Sequence, residues 1–472
     1  MLRVRSIFAA ATLASLPLLF TSISNATGMQ GHMYMAMCAA EQVTDARLRA
    51  VFDGYPIHLA NGAFLVDSGY TQEDHDQGEI PHWEGFIEAY VQHIRKTYAA
   101  PYDTPEASQH VANLMGMAAH GITDSTFDTL IYARAEQVEP SNMDSFDTAM
   151  DIFLVADMPR YFVPDFAYHS PTLSQIFTDV NHPVPVENVE KAASTARIGI
   201  AAVSELLYKG ADDFGKKYPW GRANFLNPKT PGSYAFGAKV VMGYYRELLK
   251  RLDGDTSADE VVIGTYPSAD NPMVTLDSSR PDGKVILFFG AGIDRNTLPA
   301  NIVTILGPDG MEVPAQSSVF RGDTWANVLV VTPEQNWLAN STYQVVLSNT
   351  IQNLYGASPA EDFAFSFTTC ASPDGEGNCP VDSTPLTSGC PKTEEAYKSW
   401  PSEGSGGSGG SGGMGGAGGS QATSSSSAGG DETVASHRDC GCKTPPSEDN
   451  SSYGWLATTL GLLACARRRR RA

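Results

Sequence analysis

Cysteine is scarce, with seven in 472 residues. No CxxC pair occurs, which excludes the common structural zinc ribbons and fingers. Basic residues are also few: 32 Lys and Arg stand against 53 Asp and Glu, a net charge of -21. That balance excludes nucleic acid as a steady partner and electrostatic adhesion to anionic lipid. No apolar run reaches the roughly 20 residues that cross a bilayer. The longest ones are short and lie at the two ends. At the first end, Arg3 and Arg5 precede "IFAAATLASLPLLF", and "SNA" ends at Ala26. This is the pattern of a secretory signal, with a mature chain expected to begin at Thr27 in an oxidising compartment.

What is present falls into distinct stretches. The length suffices for two or three domains. Apolar residues recur at helical spacing in "FIEAYVQHIRKTY", "ASQHVANLMGMAAHGITDSTFDTLIY", "DTAMDIFLVADM", "VEKAASTARIGIAAVSELLY" and "GAKVVMGYYRELLKRL", so residues 27–254 read as helical. After Asp255 come short runs rich in Val, Ile, Phe and Thr between turn residues: "KVILFFGAGID", "NIVTILGPDG", "NVLVVTP", "STYQVVLSNTI" and "EDFAFSFTTC". They alternate cleanly at Phe363, Phe365 and Phe367 and predict a β-sandwich over 266–370. A Cys-containing connector spans 371–403, where a disulfide is expected, and Cys38 reads as a buried thiol. Residues 404–438 are dominated by Gly and Ser and read as a disordered tether. Residues 439–472 hold "CGCKTPP", an apolar stretch predicted as a short helix, and five arginines.

The chemistry concentrates on one helix. His120, Asp124 and Asp128 stand four apart in "MGMAAHGITDSTFDTLIY" and so share a face. The helix is apolar nearly all round, which predicts burial. A buried carboxylate must be paired or must bind metal, since desolvating it alone costs several kcal/mol or more. No Lys or Arg lies between Lys96 and Arg134, and a metal is the economical partner. Seven of the ten histidines fall between His32 and His120. Asp67, placed in an expected loop, His82, and the pair Asp147 and Asp151 at i and i+4 extend the set. Imidazole and carboxylate together suit Zn²⁺, Mn²⁺ or Fe²⁺, and facing helices can build such sites.

The layout of His32, Asp67, His82 and "HGITD" resembles the zinc-dependent phospholipase C family, in particular the catalytic domain of glycosylphosphatidylinositol-specific phospholipase D. "NGAFLVDSGY", "HDQGEIPHW" and "MGMAAHGITD" carry the likeness, which covers Thr27 to Gly254. It implies two or three Zn²⁺ ions. Asp67, His82, His120 and Asp124 would hold the first, with Asp67 also serving the attacking water as orienter or base. Asp124, His32 and the free amino end at Thr27 would hold a second. Asp128, Asp147 and Asp151 would form a third site. The family has histidines where this chain has Asp128 and Asp147, so that third position is expected to take a harder divalent ion or none. His75 is placed against substrate. The sandwich resembles a bacterial Ig-like module, and the C-terminal stalk, cysteine pair and arginines resemble a MYXO-CTERM surface-sorting tag.

The expected architecture is therefore multidomain: a mostly α-helical zinc phospholipase C-like domain, an all-β Ig-like sandwich, a disordered Gly/Ser linker and a C-terminal tag. The expected function is a secreted phospholipase C/D-type phosphodiesterase acting on phospholipid or glycan-phosphate esters. It would be anchored at the outer cell surface within the cell envelope after a sorting protease acts on the tag. Two alternatives remain: a zinc nuclease of the same fold, and a catalytically inactive, metal-stabilised adhesin.

Overall fold

Glycine spacing sets the centre of the helical region. In the computed structural model, which describes residues 28–157, 166–205, 207–296, 298–299, 301–320 and 324–380, the opening helices are α1 (Met29–Gln42), α2 (Ala46–Gly54) and α3 (Pro56–Ser68). Then follow α4 (Asp76–Glu79), α5 (Glu84–Thr97), α6 (Pro105–Phe127) and, after a π-helical turn at Asp128–Tyr132, α7 (Ala133–Val138). Helices α8 (Phe146–Asp157), α9 (Ser170–Asp179), α10 (Val186–Glu205), α11 (Ala211–Lys217), α12 (Pro219–Asn224) and α13 (Tyr234–Asp253) complete the set. Helix α6 starts where it does because Thr104 accepts from the Ala107 amide and Pro105 occupies the first turn. It is buried from His110 to Phe127, as its apolar circumference predicts. It lies directly on α3: a Cβ on Gly62 would meet the Asn113 carbonyl at 2.1 Å, and one on Gly116 would meet the Leu59 carbonyl at 2.1 Å. Only paired glycines permit backbones this close.

That contact fixes Asp67. The sequence reading put it in a loop, but it sits in the last turn of α3, which runs to Ser68. The segment "GAFLV" is apolar on every face because α3 is enclosed, so periodicity gave no helical signal there.

The strands are β1 (Val262–Tyr266), β2 (Val285–Asp294), β3 (Val303–Leu306), β4 (Glu312–Val313), β5 (Ala315–Val319), β6 (Trp325–Pro333), β7 (Thr342–Leu347) and β8 (Phe363–Thr368). They form two antiparallel four-stranded sheets, ordered β1-β2-β6-β5 and β4-β3-β7-β8. The expected runs became β2, β3, β6, β7 and β8. The sequence reading did not single out β1, β4 or β5, which are short or polar. On β8, Phe363, Phe365 and Phe367 face inward while Ala364, Ser366 and Thr368 are exposed. Cys370 and Cys379 form a disulfide. Cys38 is buried as expected, but it is disulfide-bonded and not a free thiol.

One continuous core joins helices and sheets, running from Met29 to Phe367. Helix α13 is the seam. Phe236 packs on Phe288 with ring centres 5.9 Å apart. Gly243 leaves room for the Ile263 carbonyl, which a Cβ there would meet at 2.7 Å. No helix among the described residues is long and apolar enough to cross a membrane. The expected signal sequence, tether and sorting tag lie outside the described residues.

Candidate metal centre

Four side chains bring their donor atoms to one point: Asp67 from α3, His82 from the 3₁₀ turn Ile80–His82, and His120 and Asp124 from α6. All four are buried. His82 Nε2 lies 3.0 Å from Asp124 Oδ2 and 3.4 Å from Asp67 Oδ1. His120 Nε2 lies 3.4 Å from Asp67 Oδ1, 3.7 Å from Asp124 Oδ2 and 3.2 Å from His82 Nε2. Ligands about 2.05 Å from a tetrahedral zinc are separated by edges of about 3.3 Å. Five of the six donor separations therefore match the edges of a tetrahedral zinc cage, and the sixth, Asp67 to Asp124, is within 4.8 Å.

The ring tautomers point the same way. His82 Nδ1 donates to the Gly78 carbonyl at 2.8 Å, and His120 Nδ1 to the Ala63 carbonyl at 2.6 Å. His32 Nδ1 lies 2.8 Å from Thr123 Oγ1. That hydroxyl directs its own proton to the Ala119 or His120 carbonyl, so it accepts from His32. Each imidazole thus turns an Nε2 lone pair inward, as metal-binding histidines do when the outer nitrogen is hydrogen-bonded. The lone pairs of His82 and His120 then meet at 3.2 Å. Such a contact demands a shared proton or a cation.

Electrostatics agree. Burial pushes the Asp67 carboxyl up, but His120 and His82 more than offset it and hold it below the ordinary carboxylate range. Burial and neighbouring His32 lower His120. Burial opposes protonation of His82, yet Asp124 and Asp67 hold it well above an ordinary imidazole.

The other expected residues divide. His32 joins the edge of the cluster, its Nε2 2.9 Å from Asp124 Oδ1 and its ring stacked on His120 at 3.5 Å. Thr27 lies outside the described residues. Asp128, at the π-helical turn, and Asp151 are buried, and Asp147 has a buried Oδ1 without a hydrogen-bond partner. Among the described residues these three bring no third donor group together. Asp151 instead caps α1, accepting from the Gln30 amide at 3.1 Å and the Gly31 amide at 2.9 Å. Burial raises its carboxyl to about 7 even against those bonds. His75 is exposed at the start of α4, its ring 6.4 Å from Tyr70.

The sequence reading missed the outer supports. The carbonyls of Ala63 and Gly78 carry no residue signature. Gly121 is explained only by the fold: a Cβ there would meet the His82 carbonyl at 2.2 Å, so α6 can seat His82 only with glycine after His120. The Tyr70 hydroxyl donates to Glu79 at 2.6 Å, and Trp83 Nε1 donates to the same carboxylate at 3.1 Å.

Fold and site together define a helical domain with a His₂Asp₂ donor cage, packed on an Ig-like sandwich. The bacterial Ig-like domain family matches residues 255–369, the part of the chain that forms the two sheets. No curated protein matches the chain. Among solved structures, domains 1–6 of the surface-layer protein SbsC are similar at 12% identity and a TM-score of 0.19, covering 66% of this chain and 45% of that one. The N-terminal part of SbsC is similar at 12% identity and a TM-score of 0.17, covering 66% of this chain and 78% of that one. The chain thus spans under half of the longer SbsC structure, and overlaps this slight carry no argument about function.

Proposed function

We propose that the protein is a metal-dependent phosphodiesterase of the phospholipase C/D type, secreted and displayed at the outer cell surface. The observation that carries this reading is the set of four buried donors, five of whose six separations are 3.0 to 3.7 Å. The sequence likeness to zinc-dependent phospholipases C supports it from an independent side.

Asp67, His82, His120 and Asp124 would hold the ion. A Zn²⁺ ion there supplies Lewis acidity toward a phosphoryl oxygen and makes water acidic enough to ionise near neutral pH. The protein's own groups do the rest. Ala63 and Gly78 fix the two rings through Nδ1. Asp67, kept ionised, would help hold the ion and orient the attacking water. Burial excludes bulk solvent and strengthens these interactions. Asp124 faces His32 as well as the four-donor point and is the residue through which a second ion would be bridged.

Phospholipid is favoured over nucleic acid because the net charge of -21 offers no basic track for a polyanion. Export through the N-terminal signal and processing of the C-terminal tag by a sorting protease belong to this proposal. One observation favours a second reading, a metal-stabilised binding protein without activity: Asp151 serves the α1 amides and completes no further cation site.

The test uses the full mature chain loaded with zinc, given phosphatidylcholine, phosphatidylinositol and single-stranded DNA, with and without chelator. Lipid turnover lost on chelation and in His120→Ala supports the proposal. DNA turnover supports a nuclease. Bound zinc with no turnover of any substrate supports the binding protein.

A further inference from the structure

A buried ionic knot lies two residues from a metal ligand. Glu84 follows His82 by two positions and opens α5. Its carboxylate lies 3.1 Å from Arg251 Nη2 on α13, and both side chains are fully buried. The Tyr244 hydroxyl, also on α13, donates to it. The remaining partners come from the sandwich. Asn327 of β6 donates through Nδ2 to Glu84 at 2.6 Å and to the Phe289 carbonyl of β2 at 3.0 Å. Arg251 donates to the Gly290 carbonyl at 3.2 Å, to Glu88 at 2.8 Å and to the Tyr355 hydroxyl at 3.2 Å. Tyr355 closes the ring by donating to Glu88 at 2.7 Å. Two strands press on the same residue: a Cβ on Gly292 would meet Trp325 at 2.7 Å and Glu84 Cγ at 2.8 Å.

We propose that the Ig-like sandwich is a structural part of the metal centre, with Glu84 and Asn327 as positioning residues for His82. A detached module would touch its neighbour through solvated groups. Here the sandwich adds Asn327 to a fully buried carboxylate that Arg251 and Tyr244 of α13 also hold. The chain between Glu84 and His82 has little freedom. His82 is pinned by Gly78 through its ring and by Gly121 against its carbonyl. Trp83 is the only residue between the knot and the ligand. Releasing Glu84 from Asn327 lets the start of α5 shift and spoils the aim of His82 Nε2. Outer groups that orient ligands in this way are typically worth about 10- to 100-fold in metal affinity.

This inference rests on the four-donor centre, and the experiment separates the two. Zinc affinity of the full chain is measured by competition with a chromophoric chelator, for wild type, Asn327→Ala and Trp337→Phe. Trp337 sits inside the sandwich, donates to the Gly283 carbonyl and packs on Tyr343 and Phe367, away from the knot. It serves as the control for general loss of stability. Hydrogen exchange of the amides from His82 to Phe86 is followed in zinc-free protein as a second readout. Asn327→Ala is expected to weaken zinc at least about 10-fold and to speed exchange at those amides, while Trp337→Phe lowers the melting temperature and leaves zinc affinity within about 2-fold of wild type. Wild-type affinity in Asn327→Ala overturns the inference and leaves the centre standing. Equal weakening in both variants also overturns it, since the effect would then be general. A wild-type chain that binds no zinc overturns the centre and the inference together.

Discussion

Chelation should soften this fold by a readable amount, and one imidazole should decide whether it does. His120 is fully buried, its Nδ1 held by Ala63 and its Nε2 aimed at Asp67, His82 and Asp124. An ion that binds the folded cage and not the unfolded chain stabilises by about 2.7 kcal/mol when its free concentration is 100 times its dissociation constant. A unit of this size gains roughly 2 °C for each kcal/mol, so zinc should raise the melting temperature by about 5 °C. His120→Ala has two separable effects. It leaves the Ala63 carbonyl buried without its donor, which costs about 1–3 kcal/mol whether zinc is present or not. It also removes one of four ligands, so the zinc-dependent shift should vanish. Scanning calorimetry on both proteins, with chelator and with excess zinc, gives four melting temperatures. The reasoning fails if wild type melts alike in chelator and zinc, or if His120→Ala keeps the full shift.

Three further outcomes follow from packing and charge. Gly62→Ala, which would press a methyl into the Asn113 carbonyl, should destabilise by about 1–3 kcal/mol and lower zinc affinity, because α3 carries Asp67 and α6 carries His120; urea unfolding and chelator competition check this. Arg251→Ala strands buried Glu84 and takes a partner from half-buried Glu88, and should cost about 3–5 kcal/mol in urea unfolding, or leave the chain insoluble. Burial, with His169 beside both, depresses His58 to about 4 and His110 to about 3, against 6.5 for an ordinary histidine. Lowered histidine values mean that the unfolded chain takes protons first, so this contribution is present above pH 6.5 and is lost as pH falls toward 4 and then 3. The double variant His58→Gln/His110→Gln should show a shallower loss of stability between pH 6.5 and pH 4 than wild type, measured by urea unfolding at each pH.

The legible parts of the sequence were those governed by local repetition. Helix α6 announced its burial because apolar residues run nearly all round it, and β8 announced its facing because Phe363, Phe365 and Phe367 alternate with small or polar residues. The four converging donors could be named because a histidine and two acids on an apolar helix demand partners, and the family spacing supplied Asp67 and His82. Where each of them sits was less accessible. The helix that carries Asp67 shows no period in sequence, because an enclosed helix has no polar face to mark it. The knot at Glu84 had no local sign at all: its members lie at 84, 88, 244, 251, 327 and 355, and nothing in any one segment pairs them. Gly62, Gly116 and Gly121 read as helix weakeners in sequence, and their reason appears only when two backbones touch.

Charge decides how much metal the interior demands. Asp67 and Asp124 bring two negative charges to the four-donor point, and neutral His82 and His120 bring none. One dication closes that balance without help from Asp128, Asp147 or Asp151. Those three would add three further charges to a region with no Lys or Arg from 97 to 133. The fold meets them by other means. Asp151 accepts two amides at the start of α1, where the helix dipole favours an anion. Burial, reinforced by Asp128 and Asp124, raises the Asp147 carboxyl well above its ordinary range. Asp151 is taken up by the α1 amides, whereas the lone pairs of His82 and His120, 3.2 Å apart, require a proton or a cation between them. Among the described residues, donor geometry that could hold an ion is therefore concentrated at the four-donor point.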